Sequence, residues 1–512
     1  MIYRHLSAVA DRAHDIIVIG GGIYGVMIAL EAVRRHQSVL LLENEDFGGA
    51  TSYSSLRIIH GGLRDLQSLD LIRYWRFGKE RRWYLDYFPE LVELLPVLVP
   101  LYQRGIMRTE IFKMAFLLDR LLLPRRDRDL TGRECLPFGE VLSAKEVKRH
   151  FPEVEEQGLA GGALWYDACV PDSQRLLMQV LRAACGKGAD ALNYMTATEL
   201  LTEGRHVTGV RARDKLTGTS YEFNSDIVIN AAGPWSRDFA ADAHRDISVL
   251  GQPSIAWNIL FDREAPSNCA LGVAPHAPDG QRYFVHPWKG RLLIGTGHAP
   301  RERVSAKPEP SSAEISAFIR EVNLALPGFN LQRDDILHVY SGFLPVDRPN
   351  STDLAKRDAW IDHAEHGGPR GLFSVRGTKF TASRHTAEAL LNSIAPQQQE
   401  LRDYDELLGD ARATVPGDRA ICDYEWYPEP EDDSWKKPLR EIIQSEAVVH
   451  LDDLIMRRTS LGDNPVRACA VAPMVAKLFD WDKARREAEI ERVRSHFPRV
   501  GRAPDHARVK TG

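Results

Sequence analysis

The chain has 512 residues, 27% of them charged, and a formal net charge of −5 at pH 7. That length calls for two or three domains, and so balanced a charge sets up no field that would draw the protein to nucleic acid. The cysteines (Cys135, Cys169, Cys185, Cys269, Cys422 and Cys469) include no C-x-x-C pair, which argues against a dithiol redox pair, a disulfide framework or a bound structural metal. The N-terminus lacks a signal-peptide pattern, and no apolar run reaches about 18 residues, so a cytoplasmic chain without a transmembrane helix is expected.

Residues 1–14 form a polar lead-in. The apolar, β-branched run at 16–19 predicts a buried parallel strand. Gly20, Gly22 and Gly25 follow at the G-x-G-x-x-G spacing. Residues 26–35 read as a helix, and residues 38–42 as a second strand ending in Glu43. Gly20 allows a tight turn, Gly22 lets backbone approach a pyrophosphate, and Gly25 lets the helix pack on the strand. The helix N-terminus offers N–H groups and a positive dipole end to the phosphates. Glu43 stands where a carboxylate accepts hydrogen bonds from ribose hydroxyls and repels a 2′-phosphate. Together these parts predict a dinucleotide site.

The small-residue loop at 48–55 suits contact with a cofactor. His60-Gly61-Gly62 then breaks the chain before a helix-like segment at 63–88. His60 reads either as a turn residue held by backbone or as a group facing the cofactor. Residues 103–129 combine Arg104, Arg108, Lys113, Arg120, Arg125, Arg126 and Arg128 with many apolar side chains. Such a segment lies on a membrane surface or packs on its own domain with a solvated basic face; packing is expected here.

A strand at 163–169, a helix at 173–185 and a hairpin-like pair at 207–212 and 220–223 come next. They lead to Asp226-Ile-Val-Ile-Asn-Ala-Ala-Gly233-Pro-Trp-Ser236, an apolar strand whose small end residues let a ligand pass closely. With the opening motif it makes a pair typical of FAD-binding proteins. Strands at 256–261, 283–287 and 291–296 predict a mostly antiparallel sheet roofing a substrate site. His286 and His298 at strand ends are minor candidates for proton transfer. A helix at 306–327 and a strand at 339–345 follow. At 372–381 a strand meets Gly377, followed by Thr378, Lys379 and a helix to about 393. The N-terminus of that helix would face the flavin pyrimidine ring and stabilise negative charge at N1/O2. Residues 400–500 read as a separate helical domain with a Pro-rich stretch at 427–438, and a disordered tail is expected from about 499.

The expected fold class is therefore α/β: a Rossmann-like FAD-binding domain, an antiparallel-sheet substrate domain and a C-terminal helical domain. The oxidoreductase region covers 1–398. Its FAD-binding segments at about 14–100, 150–245 and 350–398 interleave with substrate-domain segments at about 101–149 and 246–349. The helical domain and tail cover 399–512.

Seven stretches carry a family resemblance: Ile19-Gly-Gly-Gly-Ile-Tyr-Gly25, Ala50-Thr-Ser, Ile59-His-Gly-Gly-Leu-Arg64, Asn230-Ala-Ala-Gly-Pro-Trp235, Tyr340-Ser-Gly342, Gly377-Thr-Lys-Phe-Thr381 and His450-Leu-Asp-Asp-Leu-Ile-Met-Arg-Arg-Thr459. From about 14 to 480 the chain resembles the FAD-dependent glycerol-3-phosphate dehydrogenases, within the D-amino-acid-oxidase-like flavoproteins. The resemblance implies FAD bound through Gly20, Gly22, Gly25, Glu43, Thr51, Ser52, Gly233, Gly377 and Thr378. It implies oxidation of sn-glycerol 3-phosphate to dihydroxyacetone phosphate, with hydride passing to flavin N5 and electrons to quinone or oxygen. Arg64, Arg357 and Lys379 would line the substrate site with His60 beside them, and Lys379 would orient or help deprotonate the hydroxyl. Peripheral contact with the inner face of the membrane is the option the resemblance adds to a cytoplasmic location.

The substrate positions depart from the family pattern. Leu344 stands where the family has arginine, and Asp65 where it has tyrosine. Trp257-Asn258 falls near a family histidine, and Gly295-Thr-Gly-His298 replaces Gly-Thr-Thr-Asp. A charged hydrogen bond contributes about 1.5–3 kcal/mol, so one lost phosphate arginine weakens binding roughly tenfold to more than a hundredfold. These departures leave open an oxidase or dehydrogenase of an amine, an amino acid or a less charged hydroxy compound, and a flavin-binding protein without turnover.

Overall fold

The first strand, Ile16–Ile19, lies inside a six-stranded sheet, and each of its residues is buried. It pairs in parallel with Val39–Leu42 on one side and Val228–Asn230 on the other. Asp190–Leu192 and Leu372–Arg376 extend the sheet in parallel, and Ala359–Asp362 closes one edge antiparallel. Strands covered on both faces are apolar throughout rather than alternating, which explains the runs at 16–19 and 39–42. The helix Ile23–Arg34 is apolar nearly all round because Ser173–Gly186 and Ser383–Ile394 pack against it. The computed structural model describes residues 1–63, 70–103, 108–122, 136–243, 248–273, 281–347, 353–394, 400–413 and 435–497.

A nine-stranded sheet stands over the first. Its order is Ile336–Val346, Gln252–Glu264, Arg291–Pro300, Tyr283–Trp288, Ala270–Val273, Glu93–Leu101, Gly161–Cys169 and Ile58–Ile59, with Glu140–Leu142 added on Gly161–Cys169. All these pairings are antiparallel except Ala270–Val273 with Glu93–Leu101. The expected antiparallel roof is therefore present. The segments assigned by sequence to the FAD-binding part nonetheless supply it with Ile58–Ile59, Glu93–Leu101 and Gly161–Cys169. An apolar run carries the same local signal whichever sheet it joins. A separate three-stranded antiparallel sheet, Met195–Glu203, His206–Asp214 and Ser220–Asn224, precedes Val228–Asn230.

The helices Lys436–Ser445, Pro465–Val475 and Lys483–Ser495 contribute Leu439, Ala468, Val471 and Val493 to a second core. Leu260, Trp288, Leu293 and Tyr340 of the roof complete it. The helix Tyr404–Ala413, placed by sequence with these helices, instead buries Tyr404, Leu407 and Leu408 in the core of the parallel sheet. In the basic segment, Thr109–Leu122 is a helix that buries Phe112, Ala115 and Phe116 and exposes Met114, Leu117 and Leu121. One face of this helix packs on its own domain, and the other exposes apolar as well as basic side chains. Its flanks at 104–107 and 123–135, most of the Pro-rich stretch, and the tail from 499 lie outside the described residues.

Candidate active site

The C-terminal ends of the parallel strands and the facing surface of the roof enclose a cleft of about 2410 Å³. Ordinary small-ligand pockets measure roughly 300–1,000 Å³, so this one has room for a dinucleotide and a substrate together. The glycine turn forms one wall. Gly20 adopts φ +107°, and a Cβ there would lie 2.5 Å from the Ala231 carbonyl oxygen. A Cβ on Gly25 would lie 1.8 Å from the Gly20 carbonyl oxygen, so only glycine lets the helix close on the strand. Gly22 lines the cleft.

Glu43 ends the second strand, half-buried at the cleft edge. Its Oε2 accepts the Gly21 N–H at 2.6 Å and its Oε1 the Glu45 N–H at 2.9 Å. Burial pushes its carboxyl group up, and those two backbone N–H groups work in the opposite direction. The Ser52 hydroxyl accepts the Ile23 N–H at 3.0 Å, capping the helix that follows the glycine turn. The Thr51 hydroxyl donates to Phe343 O at 3.1 Å and so ties the cofactor loop to the roof. Gly233, at φ +58°, opens the short turn Gly233–Trp235 on the same wall.

Gly377, Thr378 and Lys379 line the opposite side. A Cβ on Gly377 would lie 2.2 Å from the Tyr24 ring. Asp358 holds this loop: its Oδ1 accepts from the Thr378 N–H at 2.8 Å and from the Thr378 hydroxyl at 2.6 Å. The Tyr24 hydroxyl joins them, 3.0 Å from Asp358 Oδ1 and 2.8 Å from Lys379 O. The predicted helix after Gly377 starts only at Ser383, beyond the turn Phe380–Ala382. The loop at 377–379, rather than a helix terminus, therefore faces the cleft. Lys379 Nζ sits 5.1 Å above the centre of the Phe77 ring, a cation–π contact.

His60 and Lys379 share this cleft. His60 Nδ1 lies 3.5 Å from Asp167 Oδ2, and Asp167 Oδ1 accepts the Gly61 N–H at 2.8 Å. Burial pushes the Asp167 carboxyl up, but His60, Arg81 and the Gly61 N–H outweigh it and hold the group below the usual carboxylate range. Arg357 falls elsewhere. Its side chain is 78% exposed, it pairs with Asp70 at 3.3 Å, and it does not line the cleft. Arg64 and Asp65 lie outside the described residues.

On the roof, Leu344, Asn258, Thr296 and His298 face the cleft, whereas Trp257 points the other way and packs on Phe318. Successive side chains of a strand alternate between faces. Thr296 donates to Asn258 Oδ1 at 3.0 Å, and Asn258 donates to Ser54 O at 2.7 Å. Burial holds His298 below the usual histidine value, with Asp353 pulling the other way. His286 is buried outside the cleft and pushed down to about 3 by burial and by Arg57.

Residues 15–393 match the family described as "DAO: FAD dependent oxidoreductase". The chain belongs to that family, its cofactor is FAD, and it is an FAD-dependent oxidoreductase. The glycine turn, which a Cβ would fill, and the carboxylate at the second strand end fit that cofactor.

Within the family the chain resembles the glycerol-3-phosphate dehydrogenases. It is 34% identical over 398 residues to glycerol-3-phosphate dehydrogenase 1 of Mycobacterium tuberculosis, covering 76% of this chain and 74% of the relative. It is 30% identical over 409 residues to glycerol-3-phosphate dehydrogenase of Synechocystis sp., covering 76% and 71%. The glycerol-3-phosphate dehydrogenase of Bacillus halodurans, solved with FAD, shares the fold with a TM-score of 0.71 at 21% identity over 96% of each chain.

Proposed function

We propose that the protein oxidises sn-glycerol 3-phosphate to dihydroxyacetone phosphate. The placement of His60 and Lys379 in one cleft with the glycine turn carries this reading, in a chain whose relatives are named for that dehydrogenase. Gly20 and Gly22 would hold the FAD pyrophosphate and Glu43 its ribose, with Gly25 letting the helix close on the glycine turn. Thr51, Ser52, Gly233, Gly377 and Thr378 line the same cleft and would hold the rest of the cofactor. FAD, when bound, supplies the acceptor for hydride at N5. His60 takes the C2 hydroxyl proton as the C2–H bond gives up its hydride and the C2–O bond becomes a carbonyl. Asp167 faces Nδ1, which assigns the basic lone pair to Nε2 and steadies the imidazolium that forms. Lys379 orients the hydroxyl and offsets charge developing on its oxygen. The two electrons pass on to a quinone or to oxygen.

A second reading, an amine, amino acid or less charged hydroxy substrate, is favoured by Leu344 on the roof and by the exposed Arg357. Anaerobic addition of sn-glycerol 3-phosphate to the yellow protein separates the two. Rapid loss of the oxidised flavin absorbance supports the first reading. No loss, with the flavin still reducible by dithionite, sinks it and turns the screen to amines and amino acids.

Among the described residues, no helix is long and apolar enough to cross a membrane. Peripheral contact is supported by apolar side chains exposed on two helices: Leu71, Ile72 and Trp75 on Leu71–Tyr87, and Met114, Leu117 and Leu121 on Thr109–Leu122. The helices are tied together by a hydrogen bond from Tyr74 to Asp119. A lipid-soluble quinone would be met at such a face. Sedimentation with anionic liposomes tests this contact: Leu117→Glu with Leu121→Glu lowers the bound fraction, and equal binding by the variant contradicts it.

A further inference from the structure

The stretch His450-Leu-Asp-Asp-Leu-Ile-Met-Arg-Arg-Thr459 contributes no residue to the cleft lining. Its two arginines nevertheless reach Asp46, on the loop just after Glu43. Asp46 is buried, and both of its oxygens are engaged. Oδ2 accepts from Arg457 Nε and Arg458 Nη1, each at 2.6 Å. Oδ1 accepts from Arg458 Nη2 at 2.8 Å and from Asn193 Nδ2 at 3.0 Å. Neighbouring residues of an α-helix point about 100° apart. Here the two long side chains both reach Asp46 from Asp453–Arg458, a π-type turn, a form that recurs at functional sites.

The arginines are themselves fixed. Arg457 Nη2 donates to Asp453 Oδ1 at 2.8 Å, and Arg458 Nε donates to Glu446 O at 3.1 Å. The Glu446 carboxylate in turn receives Arg175 Nη1 and Nη2 at 2.8 and 2.7 Å, from the helix Ser173–Gly186.

The loop bearing Asp46 is joined to the glycine turn. Gly48 N–H donates to Gly21 O at 3.0 Å, and Gly21 N–H donates to Glu43 Oε2. Burial pushes the Asp46 carboxyl up, but Arg458 and Arg457 overcome it and hold the group at about 2, so it stays ionised. A buried charge stripped of its partner is strongly destabilising. Asn44 and Glu45 beside it are already exposed, so Asp46 regains water most readily by swinging the loop outward. That movement breaks the Gly48–Gly21 and Gly21–Glu43 bonds and displaces the ribose carboxylate.

We propose that Arg457 and Arg458 of the C-terminal domain are positioning residues for FAD: through Asp46 they latch the loop at 43–49 onto the glycine turn. The inference rests on Glu43 as the ribose partner. Its test is FAD titration into flavin-free protein, followed by fluorescence quenching, with circular dichroism to confirm folding at the assay temperature. Arg458→Met and Asp46→Asn are each expected to weaken FAD binding by about tenfold or more, with Arg458→Lys recovering part of the loss.

Arg492→Met is the control. It removes one partner of Asp452 (2.7 Å), which keeps Arg457 and His496, without touching Asp46, and is expected to stay within about twofold of wild type. Wild-type affinity in folded Arg458→Met or Asp46→Asn overturns the latch, and so does an equal loss in Arg492→Met, because generic destabilisation then suffices. If Arg458→Met does not fold, Asp46→Asn decides. Glu43→Gln tests the underlying reading separately: unchanged affinity there removes the ribose contact, whereas weakened affinity there with unchanged affinity in the latch variants removes only the latch.

Discussion

Asp358→Ala removes the carboxylate that places Lys379. Two donors converge on Asp358 Oδ1, the Thr378 N–H at 2.8 Å and the Thr378 hydroxyl at 2.6 Å, and the Tyr24 hydroxyl, whose one proton is shared with Lys379 O, lies 3.0 Å away. Oδ2 accepts the Thr386 hydroxyl at 3.2 Å. Each hydrogen bond to a charged group contributes about 1.5–3 kcal/mol. They do not simply add here. The Tyr24 hydroxyl keeps Lys379 O at 2.8 Å and lies 3.2 Å from the Thr378 N–H, which it can take over. The net loss is about 2–4 kcal/mol, or a fall in Tm of about 2–4 °C for a chain of this length.

Asp358→Asn keeps one acceptor oxygen and loses about 1 kcal/mol. The larger effect is on chemistry. A shift of about 1 Å in a positioning group costs roughly a hundredfold, and with Asp358 gone the Tyr24 hydroxyl must hold both Lys379 O and the Thr378 N–H. The assay is steady-state kinetics with whichever substrate reduces the flavin fastest, alongside thermal unfolding of the FAD-loaded protein. Asp358→Ala that melts with wild type and keeps kcat/KM within about twofold refutes the argument.

Two further outcomes follow from the same geometry. Gly25→Ala is expected to purify without bound flavin, because its Cβ would meet the backbone oxygen of Gly20 at 1.8 Å, where no side chain can give way; full flavin content in that variant contradicts the packing argument. Asp167→Asn should lose stability at neutral pH but match wild type in acid. The folded Asp167 carboxyl titrates below its unfolded value, so its contribution is full above that unfolded value, near pH 4, and disappears as pH falls through the folded one. Urea midpoints at neutral and acidic pH measure this, and an equal gap at both contradicts it.

The cofactor half of the site was legible because its signals are local. Strand, glycine turn, helix and acid occupy residues 16–43, and the chemistry of each part follows from neighbours in the chain. The substrate half was less legible. Asp358 and Tyr24 carry no spacing signal, since they meet each other and Lys379 only after residues 24 and 358 are brought into one cleft. Asp167, which faces His60, lies on a strand that sequence reading placed with the other sheet. Arg357 has a substrate-site neighbourhood in sequence, yet its backbone turns it outward to Asp70.

Sequence alone determined the cofactor class and the strand-and-helix order of its core, because short-range periodicity and turn chemistry act within a few residues; the departures at Leu344 and His298 came from the family resemblance. Tertiary structure alone decided which sheet each strand joins, which roof side chains face the cleft, and that Arg457 and Arg458 close on Asp46. Those outcomes depend on burial and on charge pairing between segments hundreds of residues apart. Ion pairs of that kind form wherever the fold brings opposite charges together in low dielectric, and no local pattern records them.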